Sequence, residues 1–451
     1  MNLGDLLGPD VLEIMREDPE AVRDALAAMH PADVAEVVSG LPREDRLRVL
    51  QQLDPAHLGN TLAYADGETI KIAITRIGPD VLAPALDVLE ADDAAQILSA
   101  LPEEKRAPVL QKMRVGDAAA AGQLLRYEPG TAGRLMTSKI VRVRPEQTVQ
   151  QVLEGLRRID PQVATVANLY AVGADDTLHG VVSLRRLLPA DPRATIESQM
   201  VREVVSARPE TPQDEVARLV SKYSFNALPI VDGQNRLLGI VTVDDVVDVL
   251  VERETETVLR MGGVAAAEDS TMNYFGTPIW RVVRMRIGWL LLLFVAGTLT
   301  GNVLRHFEAE MAQVVALAFF IPLIIGTGGN AGSQTVSTII RALALGQIRI
   351  RDARRVMIRE MTSGILLGAL LCVFAIARAL LWHSGWQLSL VVGLTILSVC
   401  VWANVIASLV PLFAQRFHID PTVVSAPMIT TLVDATGLAI YLLIAKLVLD
   451  L

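Results

Sequence analysis

The chain has 451 residues, 51% of them hydrophobic and 20% charged, with a formal net charge of −9. That length suits two to four domains, and the acidic balance argues against a nucleic-acid partner, which calls for a basic face. Its two cysteines, Cys372 and Cys400, fall in apolar runs and read as small core residues, not as a disulfide or a metal site.

Charge crowds the first 280 positions and apolar runs dominate the rest, so a soluble half precedes a membrane half. The N-terminus, MNLGDLLGPDVLEIMRED, is acidic and lacks an apolar h-region. No cleaved signal peptide is expected there, and the soluble half is expected in the cytoplasm. Over residues 10–126 the spacing predicts helices. AEVVSGLPREDRLRVLQQL (35–53) returns as AQILSALPEEKRAPVLQKM (95–113), with a proline where each new helix begins. Stacked short helices of this kind form a solenoid-like domain, a docking surface more than a catalyst.

A second duplication fills 127–255. MTSKIVRVRPEQTVQQVLEGL (136–156) is echoed by MVREVVSARPETPQDEVARLV (200–220). YAVGADDTLHGVVSLRRLL (170–188) is echoed by LPIVDGQNRLLGIVTVDDVV (228–247). Strand, proline-led helix, two strands about a polar turn, and helix follow in each copy. On these residues the segment resembles a tandem pair of CBS domains, which implies a regulatory module. Residues 242–264 then predict one long acidic helix leading to the membrane half.

Five apolar spans follow, at 285–304, 312–340, 356–382, 387–414 and 423–449. Each meets the requirement of about 20 residues for a bilayer core of about 30 Å. Arg281, Arg284 and Arg286 precede the first span, and six arginines from Arg341 to Arg359 occupy the loop after the second. The positive-inside rule therefore puts the N-terminal domains in the cytoplasm of a multi-pass inner (plasma) membrane protein. The expected divisions are a helical domain at 1–127, the CBS pair at 128–250, a connector at 251–279 and five transmembrane helices at 280–451.

Two features of the spans carry chemistry. Asp434 sits about a dozen residues into the fifth, where a carboxylate costs about 2.5–3.5 kcal/mol on insertion scales and so is expected to face away from lipid. IGTGGNAGSQT (325–335) interrupts the second. Pro322 and four glycines are expected to open that helix, turning the Gly328 and Gly329 carbonyls toward an ion beside the amides of Asn330 and Gln334. Close packing through small residues is the competing explanation of the glycines. The stretch lacks the lysine of a phosphate loop. Oxygen ligands without thiolates select hard cations such as Mg²⁺ or Ca²⁺, and so few charges suit a largely hydrated Mg²⁺.

PLIIGTGGNAGSQ (322–334), DATG (434–437) and the order of domains together resemble the MgtE family of magnesium channels, over essentially the whole chain. The resemblance implies a homodimer embedded in lipid, which is not an enzyme and which closes when cytosolic Mg²⁺ binds its soluble domains. It implies a pore lined by spans two and five, with Asp434, Asn330, Gly328 and Thr430 at the ion. It implies regulatory ligands among Asp92, Asp214, Asp245, Asp248, Glu256 and Asp420. Where such sensors often carry further acids this chain has Asn60, Gln96, Ser224, Arg253 and Thr257, so weaker inhibition is expected. CBS pairs can also bind ATP through an aspartate after the strand-to-helix turn. Asp245 in GIVTVDD fits that ribose contact, whereas the first copy has Arg186. The rival readings are a coupled secondary transporter of Mg²⁺ or Co²⁺ and a membrane-anchored nucleotide sensor.

Overall fold

The computed structural model describes residues 3–159, 163, 165–265, 277–417, 419–421 and 424–451. Contacts divide the chain into two units, 1–253 with 269–277, and 254–268 with 278–451.

The first unit opens with ten short helices: α1 (Leu3–Glu17), α2 (Pro19–Ala27), α3 (Pro31–Gly40), α4 (Arg43–Leu50), α5 (Pro55–Ala63), α6 (Gly67–Arg76), α7 (Pro79–Leu86), α8 (Ala91–Ala100), α9 (Glu103–Lys112) and α10 (Val115–Leu124). Proline opens α3, α5 and α7, where its missing N–H costs nothing. Pro42 and Pro102 cap α4 and α9. The repeat has a structural cause. Arg46 donates from Nε to the Leu41 carbonyl (2.8 Å), and its counterpart Arg106 donates to Leu98 (2.9 Å) and Leu101 (3.0 Å). Each arginine adds donors to carbonyls where the preceding helix ends.

After α11 (Ala132–Leu135) come the two α/β copies. The first holds β1 (Arg142–Val143), α12 (Val149–Leu156), β2 (Asn168–Val172), β3 (Leu178–Ser183), α13 (Leu184–Leu187) and α14 (Ile196–Gln199). In the second are α15 (Gln213–Tyr223), β4 (Ala227–Val231), β5 (Leu237–Thr242) and α16 (Val243–Met261). β1 runs parallel to β2, β2 antiparallel to β3, and β4 antiparallel to β5. Thr137, ahead of the first copy, bridges Ile240 of the second, and Val201, ahead of the second, bridges Val181 of the first. Each copy thus lends its leading segment to the other, so the two fold as a pair. The long helix expected at 242–264 is α16.

The second unit takes the end of α16 and then α17 (Ile279–His306), α18 (Glu308–Gln313), α19 (Leu317–Ala344), α20 (Ala353–Leu381), α21 (Trp386–Arg416) and α22 (Ala426–Leu449). Among the described residues, four helices are long and apolar enough to cross a membrane, all but α19 of the five long ones. The polar run 325–335 dilutes α19. Helix α21 is central, with a nearly continuous buried face from Leu388 to Leu412. Gly364 and Gly368, one turn apart on α20, let it approach closely: a Cβ there would stand 2.9 Å from Val401 Cα and 3.0 Å from Leu397 Cα. Both cysteines are free.

Candidate ion pathway and cation-sensing cavity

Helix α19 is continuous from Leu317 to Ala344, through Pro322 and all four glycines. The expectation of an opened helix is therefore corrected. The Gly328 and Gly329 carbonyls stay within helical backbone and do not turn to an ion. What the glycines provide is proximity. A Cβ on Gly328 would stand 2.5 Å from Val399 Cγ1 and 2.9 Å from Val433 Cγ1, and one on Gly332 would stand 2.9 Å from Ile429 Cγ2. Packing gained against α21 and α22 offsets the helical cost of glycine, about 1 kcal/mol each.

That approach brings polar groups together. A Cβ on Gly329 would lie 2.8 Å from Thr430 Cγ2 and 3.5 Å from Asp434 Oδ1. Ser333 Oγ lies 3.1 Å from Thr430 Oγ1, and Trp402 Nε1 donates to Thr436 Oγ1 (2.8 Å) on the next face of α22. Asp434 Oδ1 is buried with no hydrogen-bond partner among the described residues. Gly328, Gly329, Thr430 and Asp434 thus meet at one crossing of α19 and α22. Asn330 and Gln334 do not join it: both lie exposed on the outer face of α19. Ser333 was hidden in the sequence as one more small residue of the motif.

In the first unit a cavity of about 440 Å³ lies between the helical domain and the second CBS-like copy. Glu90 and Asp93 line it from one side and Asp244, Asp245 and Asp248 from the other, with Lys139 and His30 at its wall. Asp92 adjoins it with a buried Oδ1 that has no hydrogen-bond partner among the described residues. Burial, and next the charges of Asp245, Asp93 and Glu90, push Asp92 up to about 8. Burial with Asp245 and Glu90 lifts Asp93 to about 7. Burial raises Asp245 to about 6 against the opposing hydrogen bond from Thr242 Oγ1 (2.5 Å), and Glu90 and Asp248 are also raised, chiefly by burial. Among the described residues no three acidic, His or Cys side chains converge into a metal cage. The cavity is a concentrated negative field with orphaned oxygens, which suits a cation that keeps its water. Sequence reasoning found Asp92, Asp245 and Asp248 but missed Glu90, Asp93 and Asp244, although the run from Glu90 to Asp93 was there to see.

The other expected regulatory acids have partners within the chain. Arg253 Nη1 lies 2.5 Å from Asp214 Oδ2, and Arg260 bridges Glu256 and Asp420. Asp245, expected at a ribose, accepts here from Thr242 and lines the acidic cavity. A separate cleft of about 260 Å³ lies between the CBS-like copies. Tyr170, Val181, Arg186, Val201 and Phe225 help line it, and the buried Tyr170 hydroxyl has no hydrogen-bond partner among the described residues.

Comparison with known proteins agrees with this architecture. The MgtE family, described as divalent cation transporters, matches residues 321–444; the MgtE intracellular N domain matches 29–130, and CBS domains match 132–192 and 195–252. A magnesium transporter MgtE of Thermus thermophilus is 37% identical over 98% of this chain and 99% of its own. A magnesium transporter MgtE of Bacillus subtilis is 30% identical over 94% and 93%. Among solved structures, the cytosolic domain of the Mg²⁺ channel MgtE in complex with ATP is 38% identical. It covers 54% of this chain and 100% of its own, with a TM-score of 0.50. The soluble part of a magnesium transporter, 28% identical, covers 55% and 99% with the same TM-score. With a relative of that identity matching almost end to end, the chain belongs to the MgtE family of divalent cation transporters.

Proposed function

We propose that the chain is a homodimeric Mg²⁺ channel, closed by Mg²⁺ on the cytosolic side. The observation that carries the reading is Asp434, a carboxylate in a membrane helix with a buried oxygen that has no hydrogen-bond partner among the described residues. Such a group is tolerated at membrane depth where it faces a polar pathway. Asn330 and Gln334, four apart on the exposed face of α19, cannot face lipid with their amides unpaired. A second copy meeting that face would enclose a path lined by both sets of oxygens and two Asp434 carboxylates. Two transporters similar to this chain are named for magnesium. A hydrated Mg²⁺ needs few charged ligands, in keeping with one carboxylate per subunit.

Regulation is assigned to the acidic cavity. Mg²⁺ between the two acidic walls would cancel their repulsion and favour the docked state. The cleft between the CBS-like copies is assigned to an adenine nucleotide. Its apolar lining takes the base, the Tyr170 hydroxyl offers a hydrogen bond, and Arg186 offers a cation to a phosphate. The assignment also draws on the ATP complex of a similar cytosolic domain. No catalytic residue is assigned.

Mg²⁺ current in membrane patches, wild type beside Asp434→Ala, tests the reading. Current abolished by the substitution, and falling in the wild type as cytosolic Mg²⁺ rises, is expected. Current that survives the substitution would overturn it, and current that needs a Na⁺ or H⁺ gradient would favour the coupled transporter.

A further inference from the structure

The end of α16 and the loop before α22 are joined by an ion triad across 160 residues. Arg260 directs Nη1 to Asp420 Oδ2 and Nη2 to Glu256 Oε1. Glu256 lies one turn before Arg260 on α16, the favourable order for such a pair, and it aims the guanidinium at the loop. Arg260 and Glu256 are half-buried and Asp420 is more exposed.

Three further contacts surround the triad. Gly263 has φ +72°, ends α16 in the left-handed region and leaves no room for a Cβ beneath the Trp289 ring. Trp289 donates from Nε1 to Ser425 Oγ (3.1 Å), and Ser425 in turn accepts from Met428 N (3.4 Å) as the N-cap of α22. Ala265 N donates to the Met285 carbonyl (3.1 Å) of α17. The end of α16, the first turns of α17 and the cap of α22 therefore form one joint, and α22 goes on to carry Thr430 and Asp434.

We infer that Arg260 is a built-in cation that clamps the end of α16 to the loop before α22, so that this joint holds without a divalent ion. The sequence offers Glu256 and Asp420 as regulatory metal ligands, but the guanidinium already stands between them with a donor to each. A cation able to bridge both carboxylates would have to displace Arg260. The consequence for gating rests on the channel reading; the contact itself does not. Removing the guanidinium leaves two acids facing each other, and only then does a divalent ion have something to do there.

Hydrogen exchange on the full-length chain in nanodiscs tests this without measuring flux. In the wild type, the amides of the last turn of α16 should keep the same protection in EDTA and in Mg²⁺. Arg260→Gln should speed their exchange about tenfold in EDTA, the scale of two partly exposed ion pairs, and Mg²⁺ should restore it. The charge swap Arg260→Asp with Asp420→Arg should recover protection in EDTA and shows that loss in the single variant is not misfolding. Wild-type protection that collapses in EDTA would overturn the proposal, as would Arg260→Gln exchanging like the wild type.

Discussion

Acid should do part of the work of Mg²⁺ at the cavity between the helical domain and the second CBS-like copy. Asp92 and Asp93 are raised from an ordinary 3.8 to about 8 and about 7 when the two walls meet. Ionisation therefore opposes docking. The docked form is favoured at low pH and loses its advantage as pH climbs through about 6 to 8. A single group at about 7 when docked, and fully ionised over this range when undocked, shifts the docking equilibrium about tenfold between pH 8 and pH 6, ~1.4 kcal/mol. Asp92 acts in the same direction, but the protons leave this cluster jointly, so tenfold serves as the working figure for the coupled set. Spin labels on exposed Gln96 of α8 and exposed Val247 of α16 would report the docked fraction of the full-length chain. In EDTA the ratio of docked to undocked chain should rise about tenfold from pH 8 to pH 6. Asp93→Asn should raise it already at pH 8 and flatten the profile, and His30→Asn, which keeps an acceptor for Ala32 N, controls for the imidazole. Because protons and Mg²⁺ seek the same oxygens, the added effect of Mg²⁺ should shrink toward pH 6. A docked fraction that stays flat or falls on acidification in EDTA would refute the reasoning.

Gly328→Ala should destabilise the membrane unit by about 1–3 kcal/mol, since its Cβ would press on Val399 and Val433 from two helices, while Gly326→Ala, with nothing within 4 Å, should be neutral or slightly stabilising. Thermal unfolding in detergent separates the two, and equal shifts would mean that the glycines do not set the helix approach. Tyr170→Phe removes the unpartnered hydroxyl of the cleft and should weaken ATP binding to the full-length chain several-fold by calorimetry, leaving the Mg²⁺ response of the acidic cavity unchanged.

Periodicity and duplication were the legible layers. The proline-led helices, the two α/β copies and the apolar spans each follow from a local pattern, and a local pattern survives whatever packs against it. Asp434 was legible for a different reason, because a carboxylate in an apolar run has few alternatives. The state of α19 was not. Glycine and proline lower helix propensity, and propensity alone favours opening, but Val399, Ile429 and Val433 of the sequence-distant α21 and α22 close over Gly328 and Gly332 and keep α19 wound. The acidic cavity was half legible for a similar reason. Asp245 stands out in GIVTVDD, whereas Glu90 and Asp93 become notable only when the fold sets them opposite it.

The partnerships of the remaining acids bear on how strongly Mg²⁺ can act. A divalent ion gains most where carboxylates face each other without a cation. At Asp214 the chain supplies Arg253, and at Glu256 and Asp420 it supplies Arg260. A fixed guanidinium leaves little electrostatic work for Mg²⁺, which would first have to displace a tethered donor already in place. In the acidic cavity the one lysine of the lining, Lys139, also pairs with Asp117 at 3.4 Å, so much of its charge is already answered. Glu90, Asp93, Asp244, Asp245 and Asp248, with Asp92 beside them, are thus gathered at one cavity. Asn60, which lines that same cavity, adds an oxygen but no charge. Mg²⁺ sensing concentrated in one cavity, with its neighbours pre-neutralised by arginine, has fewer ions to bind on closing and so a shallower dependence on their concentration. On this distribution of charge the channel would close at higher Mg²⁺ and less steeply than one whose connector and CBS contacts were also built from unpaired acids.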